Sequence, residues 1–358
     1  MRALLISNPN STSNTASRMP GMVRALRSVD GMRLTTKFTA YPGHAEEMVA
    51  GLSNEDFDVI ICLGGDGTIN EIVNGLMNSD PFSARPADEL PTVAIIPTGS
   101  ANVLAGCLGM PRDPVDAAWF VASLLRAGKC CTISVGHAAD RCFVVNAGIG
   151  IDAEVIAAME QLRENGTRAS AARYIPTIFS VWNELRRNPP SITATVDGKE
   201  LGRDLAMAVV SNSNPWTFLG DLPIVTNPSL SVRQGLGFYG FTSLKGMPGL
   251  IAAANLAGSL TRLRTTFQVE DRERRADNAH VIHLEATSPL RLQLDGEYIG
   301  QREHLTLRVR QGALNIVALA DDYTEGQFTK NVASRPMDAR LFNVVTKRVI
   351  DRFRRPLS

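Results

Sequence analysis

The stretch from Leu63 to Leu76, LGGDGTINEIVNGL, constrains the fold more than any other part of the chain. It continues a short apolar strand pattern at Val59 to Leu63, and a helical pattern begins at Ile69. Glycines between a strand and a helix let the backbone approach a ligand closely, and the N–H groups at a helix start attract an anion such as phosphate. The segment therefore predicts a strand, a phosphate-binding turn and a helix. Asp66, fixed among these donors, is expected to hold a metal ion or to accept a proton beside the phosphates.

Strand and helix patterns alternate through the first third of the chain. Strands are predicted at 3–7, 33–39, 59–63 and 93–96, and helices at 16–29, 44–52, 69–77 and 119–127. This alternation predicts an α/β domain at 1–130 with a parallel sheet, whose ligands bind at the carboxyl ends of the strands. From Cys131 the segments are short and β-rich, which predicts a mainly antiparallel β-sandwich domain at 131–325. Its strands are predicted at 142–146, 192–196, 206–211, 236–241, 281–286, 290–294 and 305–309. Helices are predicted at 168–187 and 339–353.

Composition and charge limit the class of protein. A formal net charge of +1 argues against a general nucleic-acid binder. The charge is unevenly spread, because the segment from Lys330 to Ser358 contains eight Lys or Arg and only two Asp. The five cysteines lack paired spacing and indicate buried thiols in a reducing compartment. The apolar stretch at the N-terminus is too short for a signal peptide, and no apolar run in the sequence is long enough to span a bilayer. We expect a cytoplasmic protein.

A second glycine turn, PTGSAN at Pro97 to Asn102, follows its own predicted strand. Because two turns at neighbouring strand ends can face one ligand, the pair favours a nucleotide-phosphate site over a structural turn. The sequence lacks both the three-glycine dinucleotide fingerprint and the P-loop motif, so neither a Rossmann dehydrogenase nor a P-loop kinase is indicated.

With these motifs the chain resembles the diacylglycerol kinase catalytic-domain superfamily, which includes bacterial lipid kinases and sphingosine kinases. The resemblance runs over residues 3–320 and rests on several motifs in the same order. The motifs are Asn8-Pro9, TAYPGHA from Thr39, GGDGTINEIVNGL, PTGSANVLAGCLGMP from Pro97, NAGIGIDAEV from Asn146 and LDGE from Leu294. The resemblance implies that the first domain binds ATP and that a lipid hydroxyl in the interdomain cleft receives the γ-phosphoryl group.

The resemblance also implies roles for single residues. Those expected to bind the nucleotide are Asn8, Thr39, Gly64, Gly65, Asp66, Gly67, Thr68, Ile69, Asn70, Glu71, Gly99, Ser100 and Asn102. Asp66 would lie beside Mg²⁺, and Glu297 would be the general base that takes the hydroxyl proton. Phosphoryl transfer needs such positioning, charge neutralisation and one proton acceptor. From spacing alone, Asp295-Gly296-Glu297 is equally well explained as a turn between strands.

Two departures from the family pattern bear on activity. Many relatives carry an acid where this chain has Ser134, and an Asp-Gly pair where it has Gln234-Gly235. The second departure replaces a side chain that binds a structural magnesium in some bacterial members. We therefore expect this site to be absent or altered in the present chain. Neither change touches Asp66 or Glu297. His44 could approach the nucleotide through its neighbour Gly43.

Several alternatives stay open at this point. An NAD kinase shares the GGDG turn, and a nucleotide- or lipid-binding regulatory protein would also fit the loss of the acid at Ser134. The basic C-terminal helix either packs on the first domain or lies on anionic lipid, where its substrate would be presented. The acceptor lipid and the oligomeric state are not determined by these residues.

Overall fold

The first half of the chain is a parallel sheet with helices on its faces. A computed structural model describes residues 1–9, 11, 15–150, 189–219, 222–242 and 269–319. The strands of this half are β1 (Arg2–Ser7), β2 (Arg33–Phe38), β3 (Val59–Gly64) and β4 (Thr92–Pro97). The helices are α1 (Thr15–Arg27), α2 (His44–Val49), α3 (Asp66–Met77), α4 (Val103–Cys107) and α5 (Pro114–Arg126).

The four strands are all parallel, in the order β4-β3-β1-β2. Their carboxyl ends are level, because Ser7 pairs with both Phe38 and Leu63, and Leu63 pairs with Ile96. Strands β1, β3 and β4 are buried almost throughout, as expected for a parallel sheet covered on both faces. The loops after these strands therefore lie side by side along one edge.

The second half is built almost entirely from antiparallel strands. Its strands are β5 (Cys131–Ala138), β6 (Arg141–Phe143), β7 (Asn146–Ile149), β8 (Ile192–Val196), β9 (Lys199–Leu205), β10 (Met207–Ser211), β11 (Thr217–Leu219), β12 (Leu222–Ile224), β13 (Leu236–Phe241), β14 (Glu273–Ala279), β15 (Val281–Leu294) and β16 (Glu297–Ile316). One short helix, α6 (Val269–Arg272), precedes β14. None of the helices in the described ranges combines the length and the apolar character that crossing a membrane needs.

The long hairpin of β15 and β16 joins the two halves into one sheet. Strand β15 pairs with β8 at its start and with β7 at its end, so two groups of strands branch from it. The far end of β16 pairs with β5 and, at Ile316, in parallel with Val93 of β4. A second buried cluster, which includes Phe143 and Phe238, lies within the antiparallel half.

The predicted fold class is confirmed: a parallel α/β part is followed by a mainly antiparallel part. The first core nevertheless contains residues from both sides of the predicted boundary at 130, among them Leu90, Ile133 and Leu314. The division into domains at 1–130 and 131–325 remains a prediction. The helices predicted at 168–187 and 339–353, and the basic segment from Lys330, lie outside the described residues.

Two local predictions are corrected. Helix α3 begins at Asp66, three residues before the predicted start, so Asp66 and Gly67 belong to its first turn. The segments predicted as separate strands at 281–286 and 290–294 form one strand, β15, with a pairing irregularity between Glu285 and Leu290. A bulge bends a strand without ending it, and alternation of residue types does not distinguish the two cases.

Candidate active site

The two glycine turns touch each other at the carboxyl edge of the parallel sheet. Gly65 follows β3 and Gly99 follows β4, which is the neighbouring strand. A Cβ atom added to Gly99 would lie 2.6 Å from the Cα of Gly65, so a side chain at either position would force the turns apart. The space around Gly67 is open instead, with no atom within 4 Å of an added Cβ. The turns therefore form one surface that a ligand can approach at Gly67.

Asp66 anchors helix α4 to this surface. Its carboxylate accepts hydrogen bonds from the backbone N–H groups of Val103 at 2.9 Å and Leu104 at 3.1 Å. A carboxylate has about four lone-pair positions, and these two donors use two of them. Burial raises the pKa of Asp66, while the N–H donors act in the opposite direction.

Both oxygen atoms of Asp66 accept from N–H donors, and its role as a metal ligand remains a prediction. The described residues contain no cluster of three or more His, Cys, Asp or Glu suited to a metal ion. Mg²⁺ in phosphate-transferring enzymes is usually held by one or two carboxylates together with the substrate phosphates, and Asp66 is the carboxylate predicted to lie beside it.

Glu71 and Asn102 also hold loops in place. Glu71 accepts hydrogen bonds from the N–H groups of Gly43 at 2.9 Å and Ala45 at 3.0 Å, at the start of α2. Asn102 bonds to both polar backbone atoms of Gly99, accepting from its N–H at 2.9 Å and donating to its carbonyl at 2.7 Å. These hydrogen bonds fix loops at the sheet edge, and the contact of the two residues with a nucleotide remains a prediction.

Asn70 and Asn74 connect α3 to the antiparallel half. Asn74, fully buried, accepts from the N–H of Cys142 at 2.9 Å and donates to its carbonyl at 3.2 Å. Asn70 donates to the same carbonyl at 3.0 Å and to the carboxylate of Asp295 at 2.8 Å. The amide group of Asn70 therefore bridges the two halves, and its contact with a nucleotide remains a prediction.

Asp295 is the centre of this bridge. Besides Asn70, its carboxylate accepts from three consecutive N–H groups, those of Val144 at 2.8 Å, Val145 at 2.8 Å and Asn146 at 3.0 Å. Burial raises the pKa of Asp295 to about 6, against the opposing effect of these donors. A carboxylate with this pKa is mainly ionised at neutral pH, and it then accepts all four hydrogen bonds.

The same residue forms the turn that presents Glu297. Asp295 and Gly296 both have positive φ, 49° and 84°, and connect β15 to β16. This is the two-residue hairpin turn that Asp-Gly favours. Glu297 begins β16 and is exposed. The interpretation of Asp-Gly-Glu as a turn between strands is therefore confirmed, and the turn is fixed to α3 through Asn70.

The remaining predicted nucleotide residues differ in how accessible they are. Gly67 and Ser100 are exposed, and Asn8, Gly65 and Gly99 are partly so. Thr39 and Thr68 are 7% exposed, Ile69 belongs to the core at 1%, and Gly64 is packed against the side chain of Thr68. No finding tests their contact with a nucleotide, which remains a prediction.

Both departures from the family pattern can be placed. Ser134 lies in β5, is fully buried, and its Oγ has no hydrogen-bond partner among the described residues. Gln234 is exposed, in the turn before β13, where its N–H bonds to the carbonyl of Ser231. At the position where many relatives carry an acid, this chain thus has a neutral and buried side chain.

Sequence reasoning missed Asp295, Asn74 and Gln293 as parts of the site. Gln293, 1% exposed, links Asn146 to Gly296 by hydrogen bonds of 2.5 Å and 2.7 Å. One signal was present: Asn70 and Asn74 are four residues apart in α3, so they share a face of the helix with apolar neighbours such as Ile69 and Val73. Buried amides of this kind need partners, which here come from the other half of the chain.

Comparisons with known proteins agree with this architecture. A family model described as the diacylglycerol kinase catalytic domain matches residues 2–138. A diacylglycerol kinase of Bacillus subtilis is 26% identical over 299 residues, which are 84% of this chain and 90% of the relative. Sphingoid long-chain bases kinase 1 of Arabidopsis thaliana is 33% identical over 134 residues, 37% of this chain and 17% of that protein.

A crystal structure of a Bacillus anthracis protein, provisionally assigned as a diacylglycerol kinase, has the same fold. It matches with a TM-score of 0.67 and 23% identity, over 89% of this chain and 95% of that one. The predicted resemblance is confirmed, and residues 2–138 match the diacylglycerol kinase catalytic-domain model.

Proposed function

We propose that this protein is an ATP-dependent lipid kinase that phosphorylates the hydroxyl group of a lipid such as diacylglycerol or a sphingoid base. The single observation that carries the proposal is the bridge from Asn70 to Asp295, 2.8 Å long. It connects the helix that begins at the glycine turns with the hairpin turn that carries Glu297. A phosphate-binding surface and a proton acceptor are thereby held in one unit.

The nucleotide would bind along the carboxyl edge of the parallel sheet. The open space at Gly67, the exposed Ser100 and the first-turn N–H groups of α3 suit the phosphates of ATP. Mg²⁺ remains the expected cation, entering with the nucleotide and neutralising phosphate charge. Asp66 contributes by fixing α4 and the Gly99 turn beside α3.

Glu297 would accept the proton of the lipid hydroxyl while the hydroxyl oxygen attacks the γ-phosphorus. The bond from this phosphorus to the β–γ bridging oxygen breaks, and ADP leaves with that oxygen. Asp295 acts as a positioning residue, because it fixes the turn before Glu297 and contacts α3. An exposed glutamate at the start of a strand is accessible to a substrate arriving from outside.

The lipid would be presented at a membrane surface, and a peripheral contact through the basic segment from Lys330 is part of the proposal. A cytoplasmic location is part of the proposal and fits the five cysteines without paired spacing. The described cysteines are all free thiols.

The test is phosphorylation of a lipid panel by pure protein with labelled ATP. The panel contains diacylglycerol, sphingosine and a total lipid extract, and NAD is assayed separately. Glu297→Gln is expected to lower kcat by about 10²- to 10⁴-fold because the proton acceptor is lost, while ATP affinity stays near that of the wild type. The matched control is Glu303→Gln, an exposed acid elsewhere on β16.

Three outcomes would contradict the proposal. Wild-type turnover equal to that of Glu297→Gln would show that Glu297 is not the catalytic base. Phosphorylation of NAD without any lipid product would assign the protein to the NAD kinases. ATP binding without turnover on any acceptor would indicate a regulatory protein.

A further inference from the structure

An aromatic pair stands beside the predicted nucleotide site, in the loop after β2. The rings of Tyr41 and His44 are stacked, with centroids 4.5 Å apart and planes 4° from parallel. His44 covers one face of the Tyr41 ring. Tyr41 is still 50% exposed, and the face away from His44 is the one left for a ligand to stack on.

The pair is held rigidly in this position. The Tyr41 hydroxyl donates to the Glu47 carboxylate at 2.5 Å, and the Nδ1 of His44 accepts from the N–H of Ala40 at 3.0 Å. Hydrogen bonding to Glu47 raises the pKa of Tyr41, so the hydroxyl remains a donor at neutral pH. Both rings are thus fixed before any ligand arrives, which lowers the entropic cost of stacking on them.

The loop is also tied to the helix that starts at the first glycine turn. Glu71, in α3, accepts from the N–H groups of Gly43 and Ala45, which are the two neighbours of His44. The aromatic pair therefore keeps a fixed relation to α3 and to the phosphate-binding surface at Gly67.

The position along the sheet edge suits an extended nucleotide. The ends of β2, β1 and β3 are level, with Phe38 paired to Ser7 and Ser7 to Leu63. From the end of β3 to the end of β2 is two strand spacings, about 10 Å. A nucleoside triphosphate with its phosphates at the β3 and β4 turns is long enough to place its base over the β2 loop.

We propose that the open face of Tyr41 is the stacking platform for the nucleobase of the phosphoryl donor. The inference rests on the proposed function and extends it by assigning base recognition to a residue outside the glycine motifs. Aromatic rings bind bases through their faces, and the contact tolerates different bases. The platform is therefore expected to contribute affinity for the nucleoside part without reading its identity.

The test compares ATP with inorganic tripolyphosphate, which has the phosphate groups but no base. Binding of both to the full chain is measured by titration calorimetry for the wild type, Tyr41→Ala and Tyr41→Phe. Tyr41→Ala is expected to weaken ATP binding by about 5- to 100-fold and to leave tripolyphosphate binding unchanged. Tyr41→Phe keeps the ring and should bind ATP within about threefold of the wild type.

The contrary results are distinct from one another. Equal ATP affinity for the wild type and Tyr41→Ala would overturn the platform. An equal loss for ATP and tripolyphosphate would also overturn it, because the substitution would then act through the phosphate surface. If the wild type binds neither ligand, the nucleotide site of the proposed function is refuted together with the platform.

Discussion

The Asp66 carboxylate joins two helices, because it lies in the first turn of α3 and bonds to the first N–H groups of α4. Replacing it with Asn would point an NH₂ group at some of these donors. An unsatisfied buried donor costs about 1–3 kcal/mol, so Asp66→Asn is expected to lower the free energy of unfolding by that amount. Urea denaturation followed by circular dichroism measures the change.

The control for this substitution is Asp30→Asn, at an exposed position. It should change the free energy of unfolding by less than about 0.5 kcal/mol. Should Asp66→Asn retain full stability and lose only its Mg²⁺-dependent turnover, the role of Asp66 would be metal binding after all.

The raised pKa of Asp295 predicts a pH dependence of stability. Its ordinary value is 3.8 and burial raises it to about 6, so the folded state holds the proton more tightly than the unfolded state. The contribution of this group to stability is therefore present below pH 4 and is lost as the pH rises through about 6. Relative to Asp295→Asn, which cannot titrate, the wild type should lose about 2–3 kcal/mol between pH 4 and pH 7.

The measurement is urea denaturation of both proteins at intervals of half a pH unit. A difference that is flat between pH 4 and pH 7 would mean that the four N–H donors balance the effect of burial. A difference of the opposite sign would mean that they exceed it.

Residue types could predict where the site lies but not which side chain does what. The motif around Asp66 indicated a turn at a strand end, and the turn is there. Asp66, Glu71 and Asn102 have the donors and acceptors of ligand-binding residues, yet their partners are backbone atoms of other loops. Such partners depend on the tertiary fold, so hydrogen-bonding capacity alone does not identify them.

At the scale of elements, the glycines of the two turns have different roles that substitution can separate. Gly67 lies within the helix and has open space around it. Gly67→Ala is expected to stabilise the fold by about 0.5–1 kcal/mol, because Ala is the better helix former. It should also weaken ATP binding, since the added methyl group occupies the face that the phosphates approach.

The partner variant is Gly99→Ala, whose Cβ would lie 2.6 Å from the Gly65 Cα. It is expected to lower both stability and ATP binding, because the two turns must separate. Thermal unfolding and calorimetric titration of the two variants give the comparison. If Gly67→Ala binds ATP as tightly as the wild type does, the ligand does not approach over Gly67.

Elements with a clear period were predicted well. Strands β8 and β13 have the predicted bounds, 192–196 and 236–241. Helix α4 was missed, because its five residues are too few to show a period. Its start depends on Asp66, which is 37 positions away from Val103, so no local pattern contains the signal.

At the scale of the molecule, the two halves share backbone pairing as well as side-chain contacts. Strand β16 begins at Glu297, the proposed base, and its last residue, Ile316, pairs with β4 of the parallel sheet. The parallel and antiparallel parts were predictable from the change in pattern near Cys131. Their union in one sheet was not, since it depends on a pairing between Ile316 and Val93, far apart in the chain.

The buried amide of Asn74 makes this union testable. Asn74→Asp is nearly isosteric, but it removes the NH₂ that serves the carbonyl of Cys142 and places a carboxylate oxygen against that carbonyl. We expect a loss of about 2–4 kcal/mol of unfolding free energy. Asn278→Asp, at an exposed position, is the control and should stay within about 0.5 kcal/mol of the wild type.

The location of Asn74 predicts more than a loss of stability, because its contacts connect the halves. Two proteins with a single tryptophan report on the two parts separately. One keeps only Trp119, in α5, and the other keeps only Trp216, in the antiparallel half, with the remaining tryptophans replaced by Phe. In the otherwise wild-type protein, both probes should follow one transition in urea. With Asn74→Asp, the transitions should separate, since each half keeps its own core while the bridge between them weakens. Coincident transitions in the variant would show instead that the β16 pairing alone couples the halves, and that the asparagine bridge serves to place the Asp295 turn against α3.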